Sequence, residues 1–98
     1  MSDDAARQRV DLWLHRARLA KTRAAAARLV SEGGVRVIRD GAARRIEKPS
    51  VELVVGDALL FPRGARLLAL RVEALGARRG PPAEARTLYS ELDAQTLA

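Results

Sequence analysis

The sequence predicts a small α+β domain: two helices, then a mainly antiparallel sheet, closed by a short C-terminal helix. Three observations predict it. Apolar residues at Val10, Trp13, Leu14 and Ala17 recur at i, i+3, i+4 and i+7, the spacing of one helix face. A second segment, 22–32, opens on Thr22, runs through four alanines and stops at Gly33-Gly34. From Val35 onward, short apolar runs are punctuated by Asp40-Gly41, Lys48-Pro49-Ser50, Gly56-Asp57 and Pro62-Arg63-Gly64.

Each element follows from local chemistry. Residues 1–8 carry no periodic signal and are expected to fray. On a helical wheel of about 100° per residue, Arg9 and Arg16 share one edge of the apolar stripe of the first helix, 9–18, with Asp11, His15 and Arg18 roughly opposite. Thr22 is the expected N-cap of the second helix, its hydroxyl accepting from an early backbone N–H, and Gly33-Gly34 supply the turn past its end. Ala24, Ala25, Ala26 and Ala27 favour helix and allow close packing on the first. Val35 and Val37 begin a strand with Arg36 on its opposite face, Asp40-Gly41 turns it, and a very basic return segment follows over 42–48. Residues 51–55 alternate only in part, 58–61 and 67–75 give the further strands, and 76–82 reads as a linker. Behind Pro82, residues Ala85, Leu88, Tyr89 and Leu92 lie at helical spacing. The expected division is a domain over 9–75, then a linker and helical tail over 76–98.

Composition bounds the function. A chain of 98 residues has one modest core, since a domain of this size buries roughly 60–65% of its unfolded surface. Hydrophobic residues at 48% argue against disorder, and 18 basic against 12 acidic side chains, a net charge of +6, imply a polyanionic partner. Nucleic acid, RNA or DNA, is the first candidate; an anionic membrane surface is the second. Cysteine is absent, which excludes disulfides, thiolate zinc sites and cysteine nucleophiles. The start of the chain is polar and acidic, unlike a signal peptide, and no apolar run nears the ~18 residues of a membrane span, so a cytoplasmic protein without a membrane partner is expected. His15 stands alone, Asp11 is suited to orient a neighbouring arginine, and Trp13 belongs to the core. No catalytic constellation, metal site or cofactor is expected, and the chain reads as a monomer and not as an enzyme.

Sixteen of the cations are arginine, whose planar fork binds phosphate oxygens in pairs. Lys21 and Arg23 flank the start of the second helix, where free N–H groups and the positive dipole end coincide with two cations; that is a phosphate site. With Trp13, Phe61 and Tyr89 the only aromatics, recognition of folded RNA by shape and phosphate position is expected, not base stacking.

The run R-V-D-L-W-L, then R-x-R-L-A-K-T-R-x-x-A-x-x-L-V-x-x-G-x-V-x-V, then D-G, K-P-S and G-D, resembles the RNA-binding domain named for ribosomal small-subunit protein four. Trp13, Arg78-Arg79-Gly80-Pro81 and Leu88-Tyr89-Ser90-Glu91 make it most similar to the bacterial, ribosome-associated fifteen-kilodalton heat-shock protein family, over residues 9–92. The resemblance implies RNA contact at Arg9, Arg16, Arg18, Lys21, Thr22, Arg23, Arg28, Arg36 and Lys48. It further implies binding to large-subunit ribosomal RNA on free large subunits that carry peptidyl-tRNA, in a recycling role. An accessory module for an RNA-modifying enzyme, or a general basic interaction module, is the alternative. Where the family has V-N-G, this chain has Val37-Ile38-Arg39-Asp40-Gly41. A longer hairpin is expected, with Arg39 the candidate to replace the missing amide.

Overall fold

The structure, a computed structural model, describes residues 6–97. Residues 1–5 of the segment expected to fray lie outside the described residues. Its last residue pairs: Gln8 sits opposite Leu53 in a two-strand ladder of β1 (Gln8–Arg9) with β4 (Glu52–Leu53).

Helix α1 (Val10–Arg16) buries Val10, Trp13 and Leu14 completely, and Ala17 just beyond its end completes the stripe. A neighbouring segment caps its start, Val10 N–H donating to Val51 O at 2.8 Å. The helix ends earlier than its apolar spacing suggests, because a Schellman motif closes it. Leu19 N–H donates to Leu14 O (2.9 Å) and Arg18 N–H to His15 O (3.1 Å). The motif requires a left-handed residue, and Arg18 fills that place with φ 59°. Glycine would adopt it without the roughly 1–2 kcal/mol that a side chain costs there.

Helix α2 (Arg23–Ser31) starts as the sequence predicts, with Thr22 Oγ1 accepting from Ala25 N–H at 3.0 Å. Ala26 and Val30 are fully buried, so the small residues let α2 lie close on the core. Gly33 follows at φ 81° and releases the chain into the sheet.

The main sheet is antiparallel, ordered β3-β2-β5-β6-β7, from β2 (Val35–Arg39), β3 (Ala42–Ile46), β5 (Ala58–Arg63), β6 (Arg66–Val72) and β7 (Tyr89–Leu92). Strand alternation puts Val35, Val37, Leu59, Phe61, Leu70 and Val72 under the helices, where they join Trp13, Leu14 and Val30 in one core. The β2–β3 hairpin turns in two residues, with its strands paired along their full five residues. Arg39 pairs with Ala42, leaving Asp40 (φ 53°) and Gly41 (φ 79°) as a two-residue turn of the kind both residues favour.

The tail differs from the expected helix. Of residues 82–92, only α3 (Pro82–Ala85) and a 3₁₀ turn (Arg86–Leu88) are helical; Tyr89–Leu92 is the edge strand β7, paired with β6. The free edge of β6 offers unpaired N–H and C=O groups, and satisfying them outweighs a weak helical spacing in a segment containing Thr87 and Tyr89. The expected strand over 67–75 accordingly ends at Val72, and the chain then bends past Gly76 to bring the tail round. The turn Ala94–Leu97, α4, lies against β6.

Candidate nucleic-acid interface

The predicted contact residues fall into distinct places. At the start of both helices, Asp11 gathers two of them. Its carboxylate is buried and accepts from Arg9 Nε at 3.1 Å and Arg9 Nη2 at 3.0 Å, while Arg23 Nε lies 3.6 Å away. Asp11 thus orients Arg9 and Arg23, as its position in the sequence suggests, and leaves the trio with one net positive charge. Lys48 is exposed on the segment that flanks this end of α1, where Pro49 O accepts from Asp11 N–H. Thr22 is occupied as the cap of α2.

At the other end of α1, arginines meet backbone carbonyls instead of carboxylates. Arg16 Nη1 donates to Gly76 O at 2.6 Å, and Gln8 Nε2 donates to the same oxygen at 2.7 Å. A side chain on residue 76 has no room, since its Cβ would lie 2.9 Å from Arg16 Cβ. Arg16 is therefore a strap on the connection to the tail. Arg18 Nε donates to Gly80 O (2.6 Å), Arg79 Nε to His15 O (3.1 Å), and Arg63 Nη1 to Leu19 O (2.7 Å).

Arg18 and Lys21 open onto a groove of about 460 Å³ whose other walls carry Arg63, Arg79 and Arg86, and none of its lining residues is acidic. The sequence does not single out Arg63, Arg79 or Arg86 as contacts; the one signal that touches them is the Arg78-Arg79-Gly80-Pro81 run. Arg28 is exposed on α2, about 140° round the helix from Arg23. Arg36 points from the opposite sheet face to the helices, beside its cross-strand neighbour Arg45. The structure thus does not bring Arg36 to Lys21 and Arg23. Arg39 is committed elsewhere: both ends of its fork donate to the buried Asp57 at 2.8 Å. Among the described residues no cluster of acidic and histidine side chains is placed to hold a metal ion. No helix among them is long and apolar enough to cross a membrane.

The S4 domain family matches residues 8–37, the stretch from β1 through α1, its basic turn and α2 into β2. Two helices with arginines at both ends, carried on an antiparallel sheet, define an S4-type RNA-binding domain. Heat Shock Protein 15 of Vibrio cholerae, whose reported structure is trimeric, is 30% identical, with a TM-score of 0.77 over 89% of this chain and 83% of that chain. The chain belongs to the Heat Shock Protein 15 family of S4-domain proteins. No curated protein matches it.

Proposed function

We propose that the chain is a non-catalytic protein of the cytoplasm that binds large-subunit ribosomal RNA on free large subunits carrying peptidyl-tRNA and helps recycle them. The observation that carries the reading is the cationic surface built on the S4 unit. Lys21 is exposed without an ion-pair partner among the described residues, and Arg23 lies at the N-terminus of α2. Thr22 already satisfies Ala25 N–H, which leaves the earlier N–H groups of the helix to a phosphate. Arg9, Arg18, Arg28 and Lys48 extend the contact around this point, Thr22 supports it, and Arg16 holds the frame. Arg36 and its neighbour Arg45 serve a part of the RNA that wraps onto the outer sheet face.

Co-sedimentation at two salt concentrations tests the reading, with purified small subunits, vacant large subunits and large subunits loaded with peptidyl-tRNA. Preference for the loaded large subunit is expected. Equal binding to all three would leave a general RNA-binding domain and remove the recycling role.

The binding unit is taken as a monomer. Val55 and Leu67 are the exposed large hydrophobics among the described residues, 57% and 48% accessible, and two such side chains do not make an apolar interface. Light scattering after gel filtration should return the 10.7 kDa mass of one chain. Three times that mass, as in the trimeric Vibrio cholerae relative, would overturn it.

A further inference from the structure

We propose that the groove between the α1–α2 turn, the β5–β6 hairpin and the C-terminal segment is a second phosphate track, and that it takes the backbone of one unpaired RNA strand. This rests on the RNA-binding reading and extends it to Arg63, Arg79 and Arg86, on which that reading does not depend. Five cations line the groove: Arg18 and Lys21 from the turn, Arg63 from the hairpin, Arg79 and Arg86 from the tail. No carboxylate lines it; Glu91 stands in the adjoining hollow that shares Arg18, Arg63 and Tyr89.

The anchoring of these arginines points to a ligand. Arg18, Arg63 and Arg79 each spend one N–H on a backbone carbonyl, at 2.6, 2.7 and 3.1 Å. A carbonyl fixes the guanidinium without cancelling its charge, whereas Asp11 and Asp57 neutralise Arg9 and Arg39. Each anchored fork keeps most of its five donors, and its rotamer freedom is surrendered on folding instead of on binding. Arg18 also occupies a left-handed backbone position that glycine fills more easily. Its side chain both ties down Gly80 and lines the groove, and glycine would forfeit both roles.

Shape and composition favour one strand. At about 460 Å³ the groove has the volume of a small-ligand pocket, enough for a short stretch of strand and too little for a helix of RNA. Its wall includes Tyr89, half-buried, with its ring edge-on to Trp13 at 6.4 Å. Trp13 and Phe61 are buried, so Tyr89 is the chain's one aromatic at a basic surface. A cationic groove beside an aromatic ring is the general arrangement for unpaired nucleic acid, whose bases are free to stack. Lys21 sits both at the start of the S4 turn and in the groove, which makes the two sites continuous. RNA held at α2 can therefore run on across the tail.

The test uses the full chain and fluorescence anisotropy with two probes, an unpaired oligouridine of about ten nucleotides and a blunt RNA duplex. Arg86→Glu removes a side chain with no hydrogen bond or ion pair of its own among the described residues. Arg71→Glu, on β6 and at least two strands away from Arg36 and Arg45, makes the same charge change away from both the groove and that pair. Arg86→Glu is expected to weaken oligouridine binding tenfold or more and to lower the salt slope by roughly one, with duplex binding changed less than about threefold. Arg71→Glu should change either by less than about threefold. Lys21→Glu on the opposite wall should weaken both probes, which checks the continuity. Equal losses for Arg86→Glu and Arg71→Glu would mean that only net charge matters, and the groove would fall. No loss for Arg86→Glu while Arg23→Ala weakens the duplex would remove the groove and keep the RNA-binding reading. If the unaltered chain binds neither probe, that reading itself fails. With phosphatidylserine–phosphatidylcholine vesicles as a third probe, a loss for Arg86→Glu confined to the vesicles would assign the groove to a membrane surface and overturn the proposal.

Discussion

Binding to structured ribosomal RNA is expected to weaken by about 10³-fold as monovalent salt rises from about 50 to about 200 mM. Each cation that neutralises a phosphate releases condensed counterions, and added salt opposes that release. Neutralising about six phosphates corresponds to a slope of log affinity on log salt of about −4 to −5. The chain has the cations for it: Arg9, Arg23 and Arg39 share buried carboxylates, but Lys21, Arg28 and Lys48 are exposed without one, and three groove arginines are anchored only to carbonyls. A mechanism led by stacking would need more exposed rings, since Trp13 and Phe61 are buried and Tyr89 alone reaches a basic surface. Anisotropy titrations across the salt range give the slope directly. A slope near −1 with tight binding kept at high salt would show that apolar or base contacts dominate, against the distribution of charge on this surface.

What was legible in the sequence was whatever depends on near neighbours. The Val10, Trp13, Leu14 and Ala17 stripe needs only the helical period, the Thr22 cap only the next three residues, and the Asp40-Gly41 turn only two left-handed positions. All three stand in the structure as the sequence predicts. Asp11 was readable for the same reason, since Arg9 is two residues away.

Long-range pairing was not legible. Arg16 reaches Gly76 across 60 residues, and Arg18 reaches Gly80 across 62. Nothing local distinguishes an arginine that straps a tail from one that awaits a phosphate. The left-handed turn at Arg18 was hidden because the usual marker, glycine, is missing there. β7 was hidden because its strand character comes from the free edge of β6 and not from its own spacing. The groove joins three segments, 18–21, 63 and 79–86, so only the folded chain displays its charge as one surface.

Arg39→Ala is expected to lower the melting temperature by about 12–24 °C and to leave RNA affinity unchanged at temperatures where the variant is folded. Asp57 is 1% exposed and sits in the turn between β4 and β5. Its oxygens accept from Arg39 Nε and Nη2, both at 2.8 Å, and from Val54 N–H at 2.9 Å. Arg39 Nη2 also donates to Glu52 O at 3.1 Å, so one side chain ties the end of β2 to β4 and its turn. The hydrogen bond to Asp57 raises the Arg39 pKa, burial opposes the rise in part, and the nearby carboxylates add to it. Its charge therefore persists at any working pH. Without Arg39 the carboxylate stays buried with a single amide donor. Breaking a buried pair from one side costs about 3–5 kcal/mol, and the partial exposure of Arg39, 40%, sets the expectation at the low end, about 3 kcal/mol. For a domain of this size each kcal/mol shifts the midpoint by about 4–8 °C. Arg39→Lys should restore part of the loss, since an ammonium keeps the charge but cannot span both oxygens. Thermal denaturation followed by circular dichroism measures the shift. A drop under about 4 °C together with a tenfold loss of RNA affinity would return Arg39 to the interface, in the role that the absent asparagine suggests. The geometry argues for the first result, because a fork closed on a buried carboxylate has its two best donors engaged before any RNA arrives.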